Sequence, residues 1–360
     1  MLLRRGIKIS IEAIKNSPLG RSSTDTGMFI EYNFEFVGRI SRSSVNMKLG
    51  IVMDPIESIK PWKDSSFAML LEAQDRGWQI YYMGLGDLYM DNSVSYAQYH
   101  RLSLKDQNQD WYVKTDPGIC RLDELDVILM RKDPPFDLEY IYSTYLLEQA
   151  EENGTLIVNK PASLRDCNEK LYTRYFPQCC VASRISRDSQ RLIEFINEHQ
   201  DVIIKPLDGM GGQSIFRVKA GDTNTNVILE TVTRNGTSLT MAQRYIPEIS
   251  AGDKRILLVN GKAIPYALAR LPARGENRGN IAAGASTRGQ PLSERDVWLC
   301  DQIGPSLRDK GLIFVGVDVI GDYITEINVT SPTCIRELDL EFDLNISADL
   351  FNCIDQLIAD

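Results

Sequence analysis

The spacing of apolar and polar residues predicts alternating strands and helices from residue 47 onward. Short apolar runs bounded by turn residues are typical of buried strands, and longer periodic runs are typical of helices. In the first part of the chain this pattern predicts strand Leu49–Met53, helix Ser65–Arg76, strand Gln79–Met83, strand Asp126–Met130, helix Leu138–Asn153 and strand Thr155–Val158. The alternation indicates a small, mostly parallel α/β domain.

The same alternation continues through the rest of the chain. Helices are expected around Arg187–His199 and near residues 223–233 and 293–310, and strands at 202–206, 214–218, 256–259, 264–269 and 313–328. The sequence contains no internal repeat and no transmembrane stretch. Because 360 residues exceed one ordinary core, two or three domains are expected.

Residues 1–46 differ from the remainder of the chain. They carry a net charge of +3, have no sustained apolar period and lack the apolar core of a signal peptide. We interpret them as a disordered extension or as a translation artefact upstream of a start at Met47. A targeting peptide is a weaker interpretation, because acidic residues interrupt the segment.

Charge, cysteine and histidine content narrow the class of protein. The net charge of −9 argues against non-specific binding of nucleic acid, which needs a basic surface. The seven cysteines are odd in number and lack CxxC spacing, so a reducing cytosol fits better than a disulfide framework or a zinc site. Only His100 and His199 are present. Catalysis is therefore left to lysine, arginine, carboxylates and a metal ion.

The most informative stretch is 315–332, which predicts two apolar strands joined by a turn. Three oxygen-bearing side chains interrupt it, those of Asp318, Glu326 and Asn328. Residues i and i+2 of a strand share a face, so Glu326 and Asn328 point the same way. Such oxygen ligands suit Mg²⁺, which proteins hold with one or two carboxylates and substrate phosphates. The stretch therefore predicts a metal site for nucleotide chemistry.

The place of Asp318 in this site depends on the turn of the predicted hairpin. A two-residue turn at Gly321-Asp322 sets Asp318 opposite Thr325, on the other face from Glu326. A turn with an odd number of residues sets Asp318 opposite Glu326 instead. If the turn is even and unbulged, Asp318 drops out of the metal site.

A lysine and a glycine-rich loop supply candidate phosphate binders. Lys205 ends an apolar strand, and Gly209, Gly211 and Gly212 follow before the next strand. Glycines let backbone N–H groups converge on phosphate oxygens, and the lysine adds a positive charge. A Walker loop is excluded, because a strand and not a helix follows the glycines. The alternative is a flexible hairpin turn without a ligand.

Other charged positions allow more than one interpretation. Lys170 alone is typical of a solvated surface charge. The strand-like segment Met241–Ile246 fits either an adenine-binding edge or a connector. Arg255 and Arg270 lie on apolar strands, which favours a lined cleft over a role in surface solubility.

Two further features are consistent with a ligand-binding cleft. The run 271–287, rich in glycine, arginine and small residues, fits either a mobile lid over an anionic intermediate or a disordered surface loop. Arg131 stands at the end of a predicted strand, where α/β sheets usually bind ligands.

The order of these motifs resembles the ATP-grasp superfamily and, more closely, its prokaryotic-type glutathione synthetases. The pieces that carry the resemblance are MRKDPPFD (130–137), NKPASLRDCNEKL (159–171), IIKPLDGMGGQSIFRV (203–218), GLIFVGVDVIG (311–321) and TEINVTSPTCIRE (325–337). The implied fold is α/β (α+β), an ATP-grasp fold preceded by a small parallel α/β pre-ATP-grasp domain. The implied domains are an N-terminal domain at 47–167, a central lid subdomain at 168–245 and a C-terminal catalytic subdomain at 246–360.

The resemblance also implies the site residues. For ATP, it implies that Lys170 and Lys205 contact the phosphates and that Gly209, Gly211 and Gly212 cover them. It also implies that Gln243, Arg244, Tyr245 and Ile246 hold the adenine and that Asp253 lies near the ribose. It implies that Asp318, Glu326 and Asn328 bind the metal and that Arg255 and Arg270 stabilise the transferring phosphoryl group. For the peptide and glycine it implies Asp64, Ser65, Arg131, Arg278, Thr330 and Ser331.

The implied reaction joins γ-glutamylcysteine to glycine at the expense of ATP, through an acyl phosphate. Mg²⁺, with Mn²⁺ as an alternative, would be the cofactor, and no nucleic acid or membrane partner is expected. The resemblance further implies a cytoplasmic homo-tetramer. Two alternatives stay open, which are another ATP-grasp carboxylate–amine ligase and a catalytically silent nucleotide-binding protein.

Overall fold

Three β-sheets with helices on their faces build this protein. The structure is a computed structural model, and it describes residues 46–209, 211–272 and 286–359. Across those ranges, no helix combines the length and apolar character needed to span a membrane.

The first sheet contains the predicted parallel strands at its centre. Its strand order is β3-β4-β2-β1-β7-β8, with β5 and β6 paired to β4. The pairs β1–β2, β1–β7 and β7–β8 are parallel. The strands are β1 Lys48–Val52, β2 Gln79–Met83, β3 Leu88–Asp91, β4 Val94–Leu104, β5 Tyr112–Lys114, β6 Gly118–Arg121, β7 Val127–Met130 and β8 Leu156–Val158. The helices that accompany them are α1 Ser65–Asp75, α2 Leu138–Glu152 and α3 Pro161–Asp166.

The sequence pattern predicted β1, β2, β7, β8, α1 and α2 to within about one residue, but it missed the antiparallel strands β3 to β6. The four missed strands carry mostly exposed or half-buried side chains. Strands β3, β4 and β5 mix tyrosines with other residues and β6 is a four-residue strand, so they lack the short apolar runs by which the parallel strands were predicted.

The second sheet is antiparallel and has a core of its own. Its order is β11-β10-β12-β9, and the strands are β9 Ser183–Ser186, β10 Asp201–Pro206, β11 Phe216–Lys219 and β12 Thr240–Arg244. Helices α4, Ser189–His199, and α5, Thr225–Val232, pack against it. Leu192, Phe195, Val202, Val218 and Leu229 are among the buried residues of this core.

The third sheet is antiparallel and carries most of the predicted site. Its order is β15-β14-β13-β16-β17. The strands are β13 Asp253–Val259, β14 Lys262–Leu271, β15 Ser286–Pro291, β16 Phe314–Ile320 and β17 Tyr323–Asn328. The helices of this part of the chain are α6 Glu294–Asp309, α7 Ile335–Phe342 and α8 Ile346–Ala359, of which only α6 was predicted.

The β16–β17 hairpin has an even turn and a bulge. Ile320 pairs with Tyr323 across the two-residue turn, and Val319 pairs with Ile324. The register then shifts, so that Asp318 pairs with Glu326 and Thr325 has no partner of its own. The extra residue of a bulge changes the face on which later side chains lie. Asp318 and Glu326 are therefore cross-strand neighbours, although the turn is even.

Helix α6 packs against the β13–β14 turn through two glycines in close contact. A Cβ atom on Gly304 would lie 2.2 Å from the carbonyl oxygen of Gly261, and one on Gly261 would lie 2.3 Å from that of Gly304. Both obstacles are backbone atoms, which cannot rotate away as a side chain does. The contact therefore requires glycine on both sides.

Gly304→Ala is expected to lower the free energy of unfolding by about 1–3 kcal/mol, the range for overpacked cores. The better helix propensity of alanine, about 1 kcal/mol, offsets only part of this loss. Urea denaturation measures the change. Gly86→Ala is the matched control, because a Cβ there meets nothing within 4 Å. Equal stability of the two variants would contradict the close contact.

Asp339 makes the start of α8 dependent on pH. Its Oδ1 accepts a hydrogen bond from the Ile346 N–H at 3.0 Å. Burial raises the pKa of Asp339 from 3.8 to about 6, although that hydrogen bond opposes the rise. Between these pH values the folded chain binds more protons than the unfolded chain, so Asp339 reduces stability as the pH rises.

Asp339→Asn keeps an acceptor at this position and removes the titration. We expect the stability of the variant relative to the wild type to increase as the pH rises from about 4 to about 6. Chemical denaturation at several pH values measures the difference. A difference that stays constant across this range would contradict the raised pKa.

Candidate active site

A cleft with a free volume of about 1360 Å³ lies over the β16–β17 hairpin. Its walls come from the loop before α1, the segment after β7, the glycine-rich loop, strands β13, β14, β16 and β17, and the chain between β17 and α7. Residues far apart in sequence meet there, and the predicted site residues among them include Arg255, Arg270, Asp318, Glu326 and Asn328.

Glu326 lies between two lysines. Its Oε1 is 3.6 Å from Lys170 Nζ and 3.5 Å from Lys205 Nζ. The Lys170 side chain is 2% exposed and also donates to the Gly209 carbonyl at 2.8 Å. Burial alone would raise the pKa of Glu326, but the charges of Lys170 and Lys205 outweigh it and lower that pKa. Glu326 is therefore an anion between two lysines, although burial lowers the pKa of one of them, Lys205.

Asp318 is held in the same way by two arginines. Arg255 donates from Nε and Nη2 to the two carboxylate oxygens, at 2.5 and 3.0 Å. Arg270 Nη2 lies 3.0 Å from Asp318 Oδ2 and donates to Asp253 Oδ2 at 2.5 Å. Burial opposes ionisation of Asp318, but Arg255 and Arg270 hold its pKa well below the ordinary value. Charge-assisted forks of this kind fix both partners in one geometry.

Two buried carboxyl groups in this region have raised pKa values. Burial raises the pKa of Asp253 to about 6, against the charge of Arg270. Burial, and then the charge of Glu326, raises the pKa of Glu169 to about 7. Asp253 Oδ1 and Arg270 Nε are buried and have no hydrogen-bond partner in the structure. These two atoms have unused hydrogen-bonding capacity.

The donor atoms around the hairpin suit a hard cation. Asp318 and Glu326 supply carboxylate oxygens, and Asn328 donates its amide nitrogen to Gly316 at 3.2 Å, which leaves its amide oxygen as an acceptor. No group of three His, Cys, Asp or Glu within the described ranges could hold a metal ion. Two carboxylates, an amide and phosphate oxygens match the way Mg²⁺ is usually bound.

The predicted nucleotide-binding residues line a pocket between the second and third sheets. This pocket has a free volume of about 640 Å³ and is lined by Lys205, Gln243, Arg244, Tyr245, Ile246 and Asp253. Ile203, Ile215, Ile249 and Ile320 supply apolar walls that the sequence reasoning did not single out. A pocket with isoleucine walls, a lysine and carboxylates fits a nucleotide.

The glycine-rich loop closes the lysine end of this pocket. Gly209, Gly211, Gly212, Lys170 and Lys205 line one small cavity there. Gly211 and Gly212 have positive φ angles of 61° and 79°, which favour glycine. The role of these glycines as a phosphate cover stays a prediction.

The residues predicted for the peptide and glycine fall into two groups. Asp64, Thr330 and Ser331 line the cleft. Ser65 is buried and accepts the Ile335 N–H at 3.2 Å, and Arg131 donates to Ser66 Oγ and to the Pro332 carbonyl at 2.9 and 2.8 Å. These two residues connect the first sheet to the loop before α7. The remaining member of the set, Arg278, lies outside the described residues.

Several cleft residues were missed by the sequence reasoning. Glu169 lies beside Lys170, and its carbonyl accepts the Ile327 N–H at 2.9 Å. Lys60, Lys63 and Glu337 also line the cleft. The signal for Glu169 was its place in the motif that contains Lys170. Lys60 and Lys63 lie in a polar loop and Glu337 lies in a short helix, and their sequence context gives no comparable signal.

The fold defines a class of protein. D-cycloserine synthetase has a TM-score of 0.63 and 12% identity, over 86% of this chain and 99% of the other. The ATP-grasp ligase PsnB, in complex with a precursor peptide and AMPPNP, has a TM-score of 0.57 and 16% identity, over 88% of this chain and 100% of the other. This chain has the ATP-grasp fold.

The family follows from sequence. The family models "Prokaryotic glutathione synthetase, N-terminal domain" and "Prokaryotic glutathione synthetase, ATP-grasp domain" match residues 47–165 and 169–343. A glutathione synthetase of Vibrio vulnificus is 57% identical over 86% of this chain and 98% of its own length. One of Pseudomonas aeruginosa is 56% identical over 88% and 99%. The chain belongs to the prokaryotic glutathione synthetase family.

Proposed function

We propose that this chain is an ATP-dependent ligase that joins γ-glutamylcysteine to glycine and releases glutathione, ADP and phosphate. The observation that carries the proposal is the paired arrangement on the β16–β17 hairpin. Glu326 stands between two lysines, Asp318 stands between two arginines, and the nucleotide pocket and the larger cleft both reach these carboxylates. A phosphoryl group can therefore pass from a nucleotide to an acceptor in the cleft.

The nucleotide would bind with its base between the isoleucine walls and its phosphates under the glycine-rich loop. Lys170 and Lys205 would contact the phosphates, and the segment Gln243–Ile246 would line the base. Asp253 Oδ1, which has no partner in the structure, would accept a ribose hydroxyl. The support for this pose is that all these residues line connected cavities.

Asp318, Glu326 and Asn328 would hold Mg²⁺, and Mn²⁺ offers similar oxygen coordination. Such an ion, when bound, neutralises phosphate charge and orients the phosphates for in-line transfer. The oxygen donors on adjacent strands support this assignment.

In the first step the cysteinyl carboxylate attacks the γ-phosphorus of ATP, the bond to the β-phosphate oxygen breaks, and ADP leaves. In the second step the glycine amine attacks the carbonyl carbon of the acyl phosphate, the amine loses a proton, and phosphate leaves. Arg255 and the free Nε–H of Arg270 would stabilise the charge on the transferring group. No protein nucleophile takes part, which is consistent with the scarcity of histidine.

The test is an assay for ADP and for the thiol product with Mg-ATP, γ-glutamylcysteine and glycine. We expect ADP release that requires both the dipeptide and glycine, and we expect the thiol product in an amount equal to the ADP. Replacing glycine by alanine or serine distinguishes this reaction from that of another carboxylate–amine ligase. No ADP release from the complete mixture would overturn the proposal.

The cellular setting is a proposal of the same kind. All seven cysteines are free thiols, which supports a reducing cytoplasm. Assembly into a homo-oligomer stays a prediction, and sedimentation velocity of the full chain measures it.

A further inference from the structure

The face of the second sheet that lines the nucleotide pocket continues past the pocket itself. Residues i and i+2 of a strand share a face, so Asp201 lies on the same face of β10 as Ile203, a wall of the pocket. Arg217 pairs with Ile203 across β10 and β11. Tyr245 follows Gln243 by two positions, and both line the pocket. Asp201 and Arg217 therefore extend the pocket face by one row, beside Tyr245.

Asp201 and Arg217 hold Tyr245 at two points. The Tyr245 N–H donates to the Asp201 carbonyl at 3.0 Å. The guanidinium carbon of Arg217 lies 3.6 Å from the centre of the tyrosine ring. The Asp201 carboxylate fixes this guanidinium in a fork, accepting from Arg217 Nε at 2.9 Å and from Nη2 at 2.6 Å. Asp201 thus fixes the backbone of Tyr245 and also the cation that covers its ring.

The guanidinium leaves only part of the Tyr245 ring open to a ligand. The tyrosine is half-buried and lines the nucleotide pocket, whereas Arg217 does not line it. Because a cation covers one face of the ring, the pocket can meet only the other face or the edge. Aromatic groups pack favourably in both of these arrangements. A planar base in the pocket would therefore pack against a ring whose position is already set.

We propose that Arg217, fixed by Asp201, is a positioning residue that holds the Tyr245 ring as a wall for the nucleobase. This inference rests on the proposed function, because it takes the ligand of the pocket to be ATP. Arg217 lines neither the pocket nor the cleft, so it acts through Tyr245 and not on the reacting atoms. Its loss should weaken nucleotide binding without slowing the chemical steps.

The physical basis of the proposal is preorganisation. A side chain that must be ordered when a ligand binds reduces the affinity for that ligand, and a ring that is already ordered avoids this cost. A guanidinium suits the task because it is planar, stacks on an aromatic face and forms a fork with a carboxylate at the same time. The fork with Asp201 is present without a nucleotide. The ring is therefore placed before the base arrives.

Arg217→Met removes the cation and keeps a long, flexible side chain. We expect KM for ATP and Kd for Mg-ADP to rise about 3- to 10-fold, the scale of one cation–π contact. We expect kcat to stay within about twofold of the wild type, because the reacting atoms are untouched. Steady-state ADP release measures KM and kcat. Calorimetry with Mg-ADP measures Kd without γ-glutamylcysteine or glycine, so it does not depend on turnover.

Arg184→Met is the matched control. Arg184 lies on β9, the opposite edge strand of the same sheet, and its guanidinium carbon is 5.3 Å from the centre of the Phe195 ring. It also pairs with a carboxylate, that of Glu198, at 3.4 Å. Arg184 does not line the nucleotide pocket. We expect this variant to bind Mg-ADP with the affinity of the wild type.

A double-mutant cycle distinguishes positioning of the ring from a structural role in β11. Tyr245→Leu removes the ring and should itself raise KM for ATP. In that background Arg217→Met should add less than about a twofold further change, because no ring remains for the cation to hold. A structural role of Arg217 would give the same factor in both backgrounds.

Asp201→Asn supplies a second variant in case Arg217→Met does not fold. It removes the charge that fixes the guanidinium and keeps the backbone carbonyl that holds Tyr245. We expect KM for ATP to rise about 2- to 5-fold, less than for loss of the cation itself. This rise should also disappear when Tyr245 is replaced by leucine.

The outcomes separate this inference from the proposed function. If the wild type binds no Mg-ADP and releases no ADP with γ-glutamylcysteine and glycine, the proposed function fails. If the wild type is active but Arg217→Met and Asp201→Asn leave KM for ATP and Kd for Mg-ADP unchanged, the positioning role is wrong. It is also wrong if Arg217→Met has the same effect with and without the Tyr245 ring, or lowers kcat in place of raising KM.

Discussion

Glu326→Gln is expected to lower kcat by about 10²- to 10³-fold or more, the scale for loss of one preorganised electrostatic group. The substitution keeps the shape of the side chain but removes the charge that holds Lys170 and Lys205 at 3.6 and 3.5 Å. It also removes a proposed metal ligand. Steady-state ADP release measures the loss, and thermal unfolding is expected to show that the fold remains largely intact.

The control for Glu326→Gln is Glu148→Gln. Glu148 also pairs with a cation, Arg165 at 2.6 Å, but it lies on α2 and does not line the cleft. We expect this variant to keep full activity. Activity of Glu326→Gln within a few-fold of the wild type would contradict both the metal assignment and the placement of the phosphates.

Arg270→Lys is expected to lower kcat by about 10²- to 10³-fold while KM for ATP changes only a few-fold. Arg270 Nη2 contacts Asp253 at 2.5 Å and Asp318 at 3.0 Å, and its Nε–H is unused. A lysine has one nitrogen and cannot bridge two carboxylates while it donates to a transferring phosphoryl group. Single-turnover measurements separate the chemical step from nucleotide binding.

Arg121→Lys is the matched control for Arg270→Lys. Arg121 also forms a fork with a carboxylate, with bonds of 2.9 and 2.7 Å to Asp123, but its side chain is exposed and remote from the cleft. This variant is expected to behave as the wild type. If Arg270→Lys raised KM for ATP and left kcat unchanged, Arg270 would be a nucleotide-binding residue and not a stabiliser of the transferring group.

The β16–β17 hairpin shows which structural features a local sequence pattern can predict. The apolar runs predicted both strands and the turn, because β-strand propensity and turn residues are local properties. The bulge that brings Asp318 opposite Glu326 was not predictable. A bulge depends on how the strand packs against both neighbours, and one strand's sequence does not contain that information.

The same limit applies to the site, where local motifs were recognisable from the sequence and contacts between distant segments were not. Lys205 and the glycines were recognisable because they occur together in the sequence. Ser65 and Arg131 were predicted as substrate contacts, and that role stays a prediction. The structure adds a second role that the sequence did not indicate, because they connect distant segments through Ile335 and Pro332. Glu337 was overlooked because its unused oxygen becomes visible only when α7 packs beside the loop that carries Lys63.

The basic partners of Asp318 and Glu326 also explain why these two carboxylates can lie inside the protein. Asp318 is buried and the Glu326 side chain is 19% exposed, and an unpaired charge at such a position would be strongly destabilising. Each carboxylate instead has two basic partners. Arg255 and Arg270 line the cleft, and Lys170 and Lys205 line the small cavity beside the glycine-rich loop. Substrate phosphates can therefore enter without leaving a buried charge unpaired.

The most direct test of the account follows oxygen from the peptide to phosphate. γ-Glutamylcysteine labelled with ¹⁸O in both oxygens of its cysteinyl carboxylate is incubated with the chain, Mg-ATP and glycine. An acyl phosphate requires that one carboxylate oxygen leaves with the phosphoryl group. We expect one ¹⁸O atom in each phosphate released, as read by mass spectrometry or ³¹P NMR. Unlabelled phosphate, formed together with the peptide product, would contradict it.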